Sequence, residues 1–208
     1  MSRRGIILDR DGTLIDVVRD EETGVISTAF HPAQLVLLTG VVEGLRVLAD
    51  AGFTLAIATN QPGPAKGQFS ADAVKRTNDA LVVRLAKEGI RIEAVQACMH
   101  HPDGGPGGDP SLVGPCECRK PKAGMLEALV RDLGLARGQS WMVGDSAADV
   151  EAGATAGIRT GLVFPSNRCE LCPLRDGPPG SPDVHGPDLR EIAARIVERS
   201  AGGQSARA

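Results

Sequence analysis

Two carboxylates stand one residue apart near the start of the chain, in the run Asp9-Arg10-Asp11-Gly12-Thr13. Attack on phosphorus needs an oxygen nucleophile, and release of an alcohol needs a proton donor within reach. A pair at i and i+2 supplies both, with Asp9 as nucleophile and Asp11 as general acid toward the alcohol, then general base toward water. Gly12 permits the tight turn that brings backbone amides toward phosphoryl oxygens. Asp145, in Val143-Gly144-Asp145-Ser146-Ala147-Ala148-Asp149, adds a further carboxylate. So much negative charge beside a phosphate dianion calls for a cation. Mg²⁺ suits oxygen donors and keeps several waters, and its expected ligands are the Asp9 side chain, the Asp11 backbone carbonyl and Asp145, with Asp149 steadying the loop. Lys120 is expected to offer a second cation to the transferring group, and Thr59 a hydroxyl and amide donors. Singly, Asp-x-Asp-Gly-Thr is a common turn, Lys-Pro a common surface pair and Gly-Asp a common cap. Their order along the chain, each at a strand end or in the loop after it, carries the catalytic reading.

A second constellation lies between these motifs. Cys98-Met99-His100 and Cys116-Glu117-Cys118 are two ligand pairs closing a loop rich in Gly, Pro and Asp. Cys98, His100, Cys116 and Cys118 form a Cys₃His set suited to tetrahedral Zn²⁺, with His101 an alternative to His100. Such a loop holds too little apolar surface to keep a shape unaided, so the metal would be structural. Arg119 and Lys120 follow at once, so zinc would fix the segment that delivers both cations. The bland alternative is a buried strand residue and idle thiols. Cys169-Glu170-Leu171-Cys172 has no second pair nearby and is assigned no role.

The elements that must position these residues are legible from apolar runs and their stop signals. Strands are expected at Ile6–Leu8, Phe53–Thr59, Ile92–Ala97, Ser140–Val143 and Ile158–Phe164. Helices are expected over Val41–Ala51, from a Ser70 cap to about Glu88, from Pro121 at the first helical position to Leu133, and over Ala147–Ala156. Residues 165–188 read as loop, Leu189–Val197 as a short closing helix, and 200–208 as a disordered tail. Alternation of strand and helix implies right-handed crossovers and a parallel sheet covered on both faces. In such sheets ligands bind at the carboxyl ends of the strands. Asp9, Thr59, Asn60 and Asp145 all follow strand runs directly. The fold class is therefore α/β, a Rossmann-like three-layer sandwich of one domain spanning 1–208, with a zinc-stapled loop.

Bulk properties narrow the partners. A net charge of −3 weighs against nucleic acid, whose binders usually carry a basic surplus. No apolar run approaches the ~20 residues of a membrane span, and the N-terminal run is too short for a signal peptide. The expectation is a cytoplasmic monomer acting on a small phosphorylated metabolite.

At these motifs the chain resembles the haloacid dehalogenase (HAD) superfamily of phosphatases, over about residues 5–165, with its four signatures in order. The resemblance implies a Rossmann-like fold and an aspartyl-phosphate route. The segments between signatures are too short or too structured for a cap domain, which points to a capless member. Thr59-Asn60-Gln61-Pro62-Gly63-Pro64-Ala65-Lys66-Gly67, Cys98-Met99-His100-His101-Pro102 and Cys116-Glu117-Cys118-Arg119-Lys120-Pro121 narrow the likeness. They look like the heptose-1,7-bisphosphate 7-phosphatase group, related to histidinol-phosphate phosphatases with a similar zinc loop. That likeness favours His100 over His101. It implies substrate contacts from Asn60, Lys66 and Arg119, the last two suiting a second phosphate, and a role in making heptose for cell-surface polysaccharide. The sequence departs from the group at Lys66, where Arg is common, at Ser146, where Lys is usual, and over residues 16–34. The alternatives are a histidinol-phosphate phosphatase or, in another class, a catalytically silent zinc-stabilised binding module.

Overall fold

The structure, a computed structural model, describes residues 3–19, 22, 24–164 and 181–205. Cys169 and Cys172 lie outside the described residues. The strands are β1 (Gly5–Leu8), β2 (Val18–Arg19), β3 (Ile26–Ser27), β4 (Thr54–Asn60), β5 (Ile92–Cys98), β6 (Trp141–Gly144), β7 (Arg159–Val163) and β8 (Val184–Gly186). The helices are α1 (Val41–Asp50), α2 (Ala71–Lys87), α3 (Gly124–Asp132), α4 (Ala147–Thr155) and α5 (Leu189–Ser205).

Six strands form one parallel sheet in the order β5-β4-β1-β6-β7-β8. In β1 the side chains alternate. Ile6 and Leu8 join the core under α1, α2 and α5, while Ile7 joins the core under α3 and α4. All three are fully buried, as a central strand sandwiched between helical layers requires. Trp141 and Val143 of β6 share the first core and Met142 the second. The architecture is thus the α/β sandwich expected from the alternating pattern.

Three local departures have physical reasons. The loop expected over 165–188 contains β8, whose Val184 and Gly186 are buried beside β7; three residues between Pro- and Gly-rich stretches give too short a period to read. Residues 18–27 hold the small antiparallel pair β2 and β3, invisible for the same reason. Pro121 does not open α3. The Lys120 backbone is held from outside by the Asn60 side chain and Gly124 N–H donates to Glu117 O at 3.0 Å, so the helix starts three residues later. The closing helix α5 also runs to Ser205, into the segment expected to be a disordered tail. Among the described residues no helix is long and apolar enough to cross a membrane.

Candidate active site and metal centre

Parallel register brings the reactive residues to one edge. Leu8 pairs with Ile57 on one side and Val143 on the other, and Asp9 N–H continues the ladder to Val143 O at 2.8 Å. Asp9, Thr59 and Asp145 therefore leave adjacent strands at the same level. Gly12 brings the loops together: its φ is +81°, and a Cβ there would lie 2.5 Å from Asp145 Oδ2.

Lys120 reaches the same point from the loop before α3. Its Nζ donates to Asp9 Oδ1 at 2.7 Å and Ala58 O at 2.8 Å, and lies 2.6 Å from Asp149 Oδ1. Oxygens of Asp9, Asp145 and Asp149 lie within 4.8 Å of one another. Asp149 thus does more than the loop-steadying role expected of it. Its Oδ2 caps α4 by accepting from Ser146 N–H at 3.1 Å, while Oδ1 faces Lys120. Burial pushes the Asp9 carboxyl up to about 7 against the pull of Lys120, with Asp149 and Asp145 adding to the rise. Lys120 moves upward as well: burial opposes its charge, but Asp9 and Asp149 outweigh burial. Lys120 is shared between Asp9 and Asp149, with an Asp145 oxygen close by, and such a buried cluster of carboxylate oxygens suits a divalent cation. The donor set fits Mg²⁺.

Around this centre the remaining expected residues take differing positions. Thr59 is buried and its Oγ1 accepts from Gln61 Nε2 at 2.8 Å. Asn60, expected to touch substrate, uses both ends of its amide on Lys120, accepting from its N–H at 3.1 Å and donating to its carbonyl at 3.0 Å. Lys66 and Arg119, on separate loops, each disfavour the charged form of His101, after its desolvation. The loop carrying Lys66 is clasped by the glycine-rich loop: Asp109 N–H donates to Pro64 O at 3.0 Å, and a Cβ at Gly108 would fall 1.9 Å from Ala65 O. A cavity of about 470 Å³ opens beside this clasp, lined by Pro64, Gly67, Phe69 and Asp109. A larger one, about 580 Å³, lies at the opposite end of the sheet near Arg4 and Thr54; it borders none of the chemistry, and the charge cluster locates the site.

The four expected zinc ligands converge. Cys98 Sγ is 3.7 Å from Cys116 Sγ and 3.8 Å from His100 Nδ1, and Cys118 Sγ is 3.3 Å from His100 Nδ1. A tetrahedral Zn²⁺ with Zn–S bonds of about 2.3 Å separates its sulfurs by about 3.8 Å, so the cluster could hold zinc with a modest outward shift of Cys118, now 2.9 Å from Cys98. His101 is turned elsewhere, its Nδ1 accepting from Asp103 N–H at 3.2 Å. Burial leads in pushing the Cys98 and Cys118 thiols up, whereas for Cys116 burial is outweighed by hydrogen bonds, first that of the Arg119 backbone, and the thiol falls below its usual value.

The chain is 33% identical over 164 residues to the D-glycero-beta-D-manno-heptose-1,7-bisphosphate 7-phosphatase of Haemophilus ducreyi, covering 78% of this chain and 84% of the relative. The chain belongs to the HAD-like heptose-bisphosphate phosphatase family. A Burkholderia mallei relative, 33% identical over 79% of this chain and 81% of its own, is named for the alpha anomer. The HAD-hydrolase-like family model matches residues 117–191. The crystal structure of D,D-heptose 1,7-bisphosphate phosphatase from B. bronchiseptica, complexed with magnesium and phosphate, superposes with a TM-score of 0.75 and 28% identity, covering 94% of this chain and 99% of that one. Like its family, the chain is a phosphoric monoester hydrolase.

What sequence reasoning passed over in this HAD-like phosphatase is the support beneath Asp11. Arg10, Thr28, Gln61 and Asn78 form a hydrogen-bonded network around its carboxylate. The available signal was an arginine between two reactive aspartates, a place where a solvated side chain has no evident purpose.

Proposed function

We propose that the chain releases the C7 phosphate of D-glycero-D-manno-heptose 1,7-bisphosphate through an aspartyl-phosphate on Asp9. The observation that carries this reading is the Asp9 carboxylate, anchored by Lys120 at 2.7 Å and clustered with Asp145 and Asp149 at the end of β1. With Oδ1 held by Lys120, Oδ2 attacks phosphorus. As that bond forms, the bond to the C7 oxygen breaks, and the leaving oxygen takes a proton from Asp11. Water then attacks phosphorus, its proton passes to the Asp11 carboxylate, and the bond to Asp9 breaks to give inorganic phosphate. Bound Mg²⁺, held by Asp9, Asp145 and the Asp11 carbonyl with Asp149 adjoining, supplies charge neutralisation at the phosphoryl oxygens. Lys120 keeps Asp9 oriented and its charge counterbalanced throughout.

Lys66 and Arg119 receive the second phosphate, a reading supported by the positive field that both cations set up at His101. Zn²⁺ in the Cys98, His100, Cys116 and Cys118 cluster fixes the Arg119–Lys120 segment. The chain works as one capless domain, with substrate met by loops at the strand ends. Phosphate release from both anomers of the heptose bisphosphate and from histidinol phosphate, measured in parallel, tests the substrate. Faster turnover of histidinol phosphate defeats the heptose reading. Absence of hydrolysis of any of these, and of an aryl phosphate, with Mg²⁺ present would instead leave a silent zinc-stabilised binding module.

A further inference from the structure

Arg10 is fully buried, although it lies between two catalytic-loop aspartates. A guanidinium removed from water keeps its charge and needs acceptors for its fork. It finds them in three parts of the fold. Nε and Nη2 donate to Asp11 Oδ2 and Oδ1 at 3.1 and 3.2 Å. Nη1 donates to Asn78 Oδ1 of α2 at 2.6 Å. Nη2 also reaches Thr28 Oγ1 at 2.5 Å and Ala29 O at 2.8 Å, in the segment after β3. That segment is pinned in turn by Phe30 stacked on Phe69, with 5.0 Å between ring centroids.

Asp11 receives two further donors. Gln61 Nε2, itself tied to Thr59, donates to Oδ2 at 2.6 Å, and Thr28 Oγ1 donates to Oδ1 at 2.6 Å. An ionised carboxylate offers about four lone-pair sites. Here Arg10 Nε, Gln61 and Thr28 take one each, and Arg10 Nη2, whose two hydrogens also serve Thr28 and Ala29, adds a shared contact at 3.2 Å. Arg10 and Gln61 are both fully buried, whereas Thr28 is half-buried, so among the donors it is the one a leaving oxygen or a water can replace, its hydroxyl turning instead to Gln61 Oε1 at 3.1 Å.

The geometry points to Arg10 and Gln61 as positioning residues that aim the Asp11 carboxyl at the leaving group. The inference rests on the Asp9 and Asp11 roles proposed above. Its consequence is selective. A sugar alkoxide is a poor leaving group and needs the Asp11 proton as the P–O bond breaks, whereas 2,4-dinitrophenolate leaves without one. A mis-aimed Asp11 therefore penalises the first substrate only, and kcat/KM reports that step because it precedes turnover of the phosphoenzyme.

The test compares kcat/KM for heptose 1,7-bisphosphate and 2,4-dinitrophenyl phosphate in Arg10→Met, Gln61→Met and Asp11→Asn, singly and combined. General acid catalysis contributes roughly 10²–10⁴-fold. Arg10→Met is expected to lose on the order of 10²-fold on the heptose substrate and less than about threefold on the aryl phosphate. Gln61→Met, which leaves the buried charge pair intact, is expected to show the same selectivity at about tenfold, and it decides the matter if Arg10→Met does not fold. Added to Asp11→Asn, either change is expected to cost nothing more on the heptose substrate. Equal losses on both substrates, or full additivity with Asp11→Asn, overturn the assignment. Wild-type protein inactive on both substrates overturns the proposed function instead, a result distinct from unselective losses in an active enzyme.

Discussion

Replacing Asp9 by Asn removes the nucleophile, yet it should stabilise the protein in magnesium-free buffer at pH 8. Burial, opposed by Lys120 and reinforced by Asp149 and Asp145, carries the Asp9 carboxyl from 3.8 to about 7. A folded-state value above the unfolded one means that the group's contribution to stability is complete below about pH 4 and is lost as pH rises through 7. At about 1.4 kcal/mol per unit the whole difference is on the order of 4 kcal/mol, and relaxation around a shared lysine leaves roughly 2–4 kcal/mol. Asn has nothing to titrate and keeps Lys120 on Asp149. The variant should therefore exceed wild type by roughly 2–4 kcal/mol at pH 8, and by only about 1–1.5 kcal/mol at pH 5, where 1.2 of the 3.2 units between 3.8 and about 7 have been crossed. Mg²⁺ at a hundred times its Kd adds about 2.7 kcal/mol to the wild type alone and should close most of the gap at pH 8. Urea unfolding followed by circular dichroism reads these differences, with Mg²⁺ omitted rather than chelated so that no chelator reaches the cysteine cluster. If Asp9→Asn is no more stable than wild type at pH 8 without Mg²⁺, the account of uncompensated charge at this centre is wrong.

Three further outcomes are expected. Cys116→Ser should lose zinc by elemental analysis, lower Tm by about 5–10 °C and slow turnover by loosening the Arg119–Lys120 segment; full activity without zinc would refute the stapling role. Gly12→Ala places a methyl 2.5 Å from Asp145 Oδ2 at a φ of +81°. The backbone strain costs about 1–2 kcal/mol and displacement of Asp145 should lower kcat roughly 10²-fold, so near-normal kcat would contradict the close approach. Asn60→Leu removes both hydrogen bonds to the Lys120 backbone and should cost about 1–3 kcal/mol in urea unfolding, with kcat reduced and KM little changed; a raised KM at normal kcat would return Asn60 to substrate contact.

Five of the sheet's strands and all the helices were legible because their apolar runs exceed the length at which period and burial agree. Ile6–Leu8 reads as a buried parallel strand because the run is wholly apolar, and the observed strand, Gly5–Leu8, is buried throughout. β2, β3 and β8 escaped because two or three residues carry no measurable period; neighbours already in place select them. The start of α3 escaped for a related reason: proline's preference for a first helical position yields to the Asn60 clasp on Lys120, a contact between residues 60 apart.

By itself the sequence determined which atoms are available for chemistry and at which strand ends they emerge, since motif order and strand alternation are one-dimensional properties. It also picked out the cysteine and histidine pairs of a cluster that could hold zinc, leaving His100 and His101 as alternatives that spacing did not separate. Only the tertiary structure decided how the charges are shared. Lys120 divides its ammonium between Asp9 and Asp149, Asn60 turns from solvent to the backbone, and Arg10 disappears beneath Asp11. Electrostatic pairing depends on distance in space, which register and loop packing set together, and no local spacing encodes it.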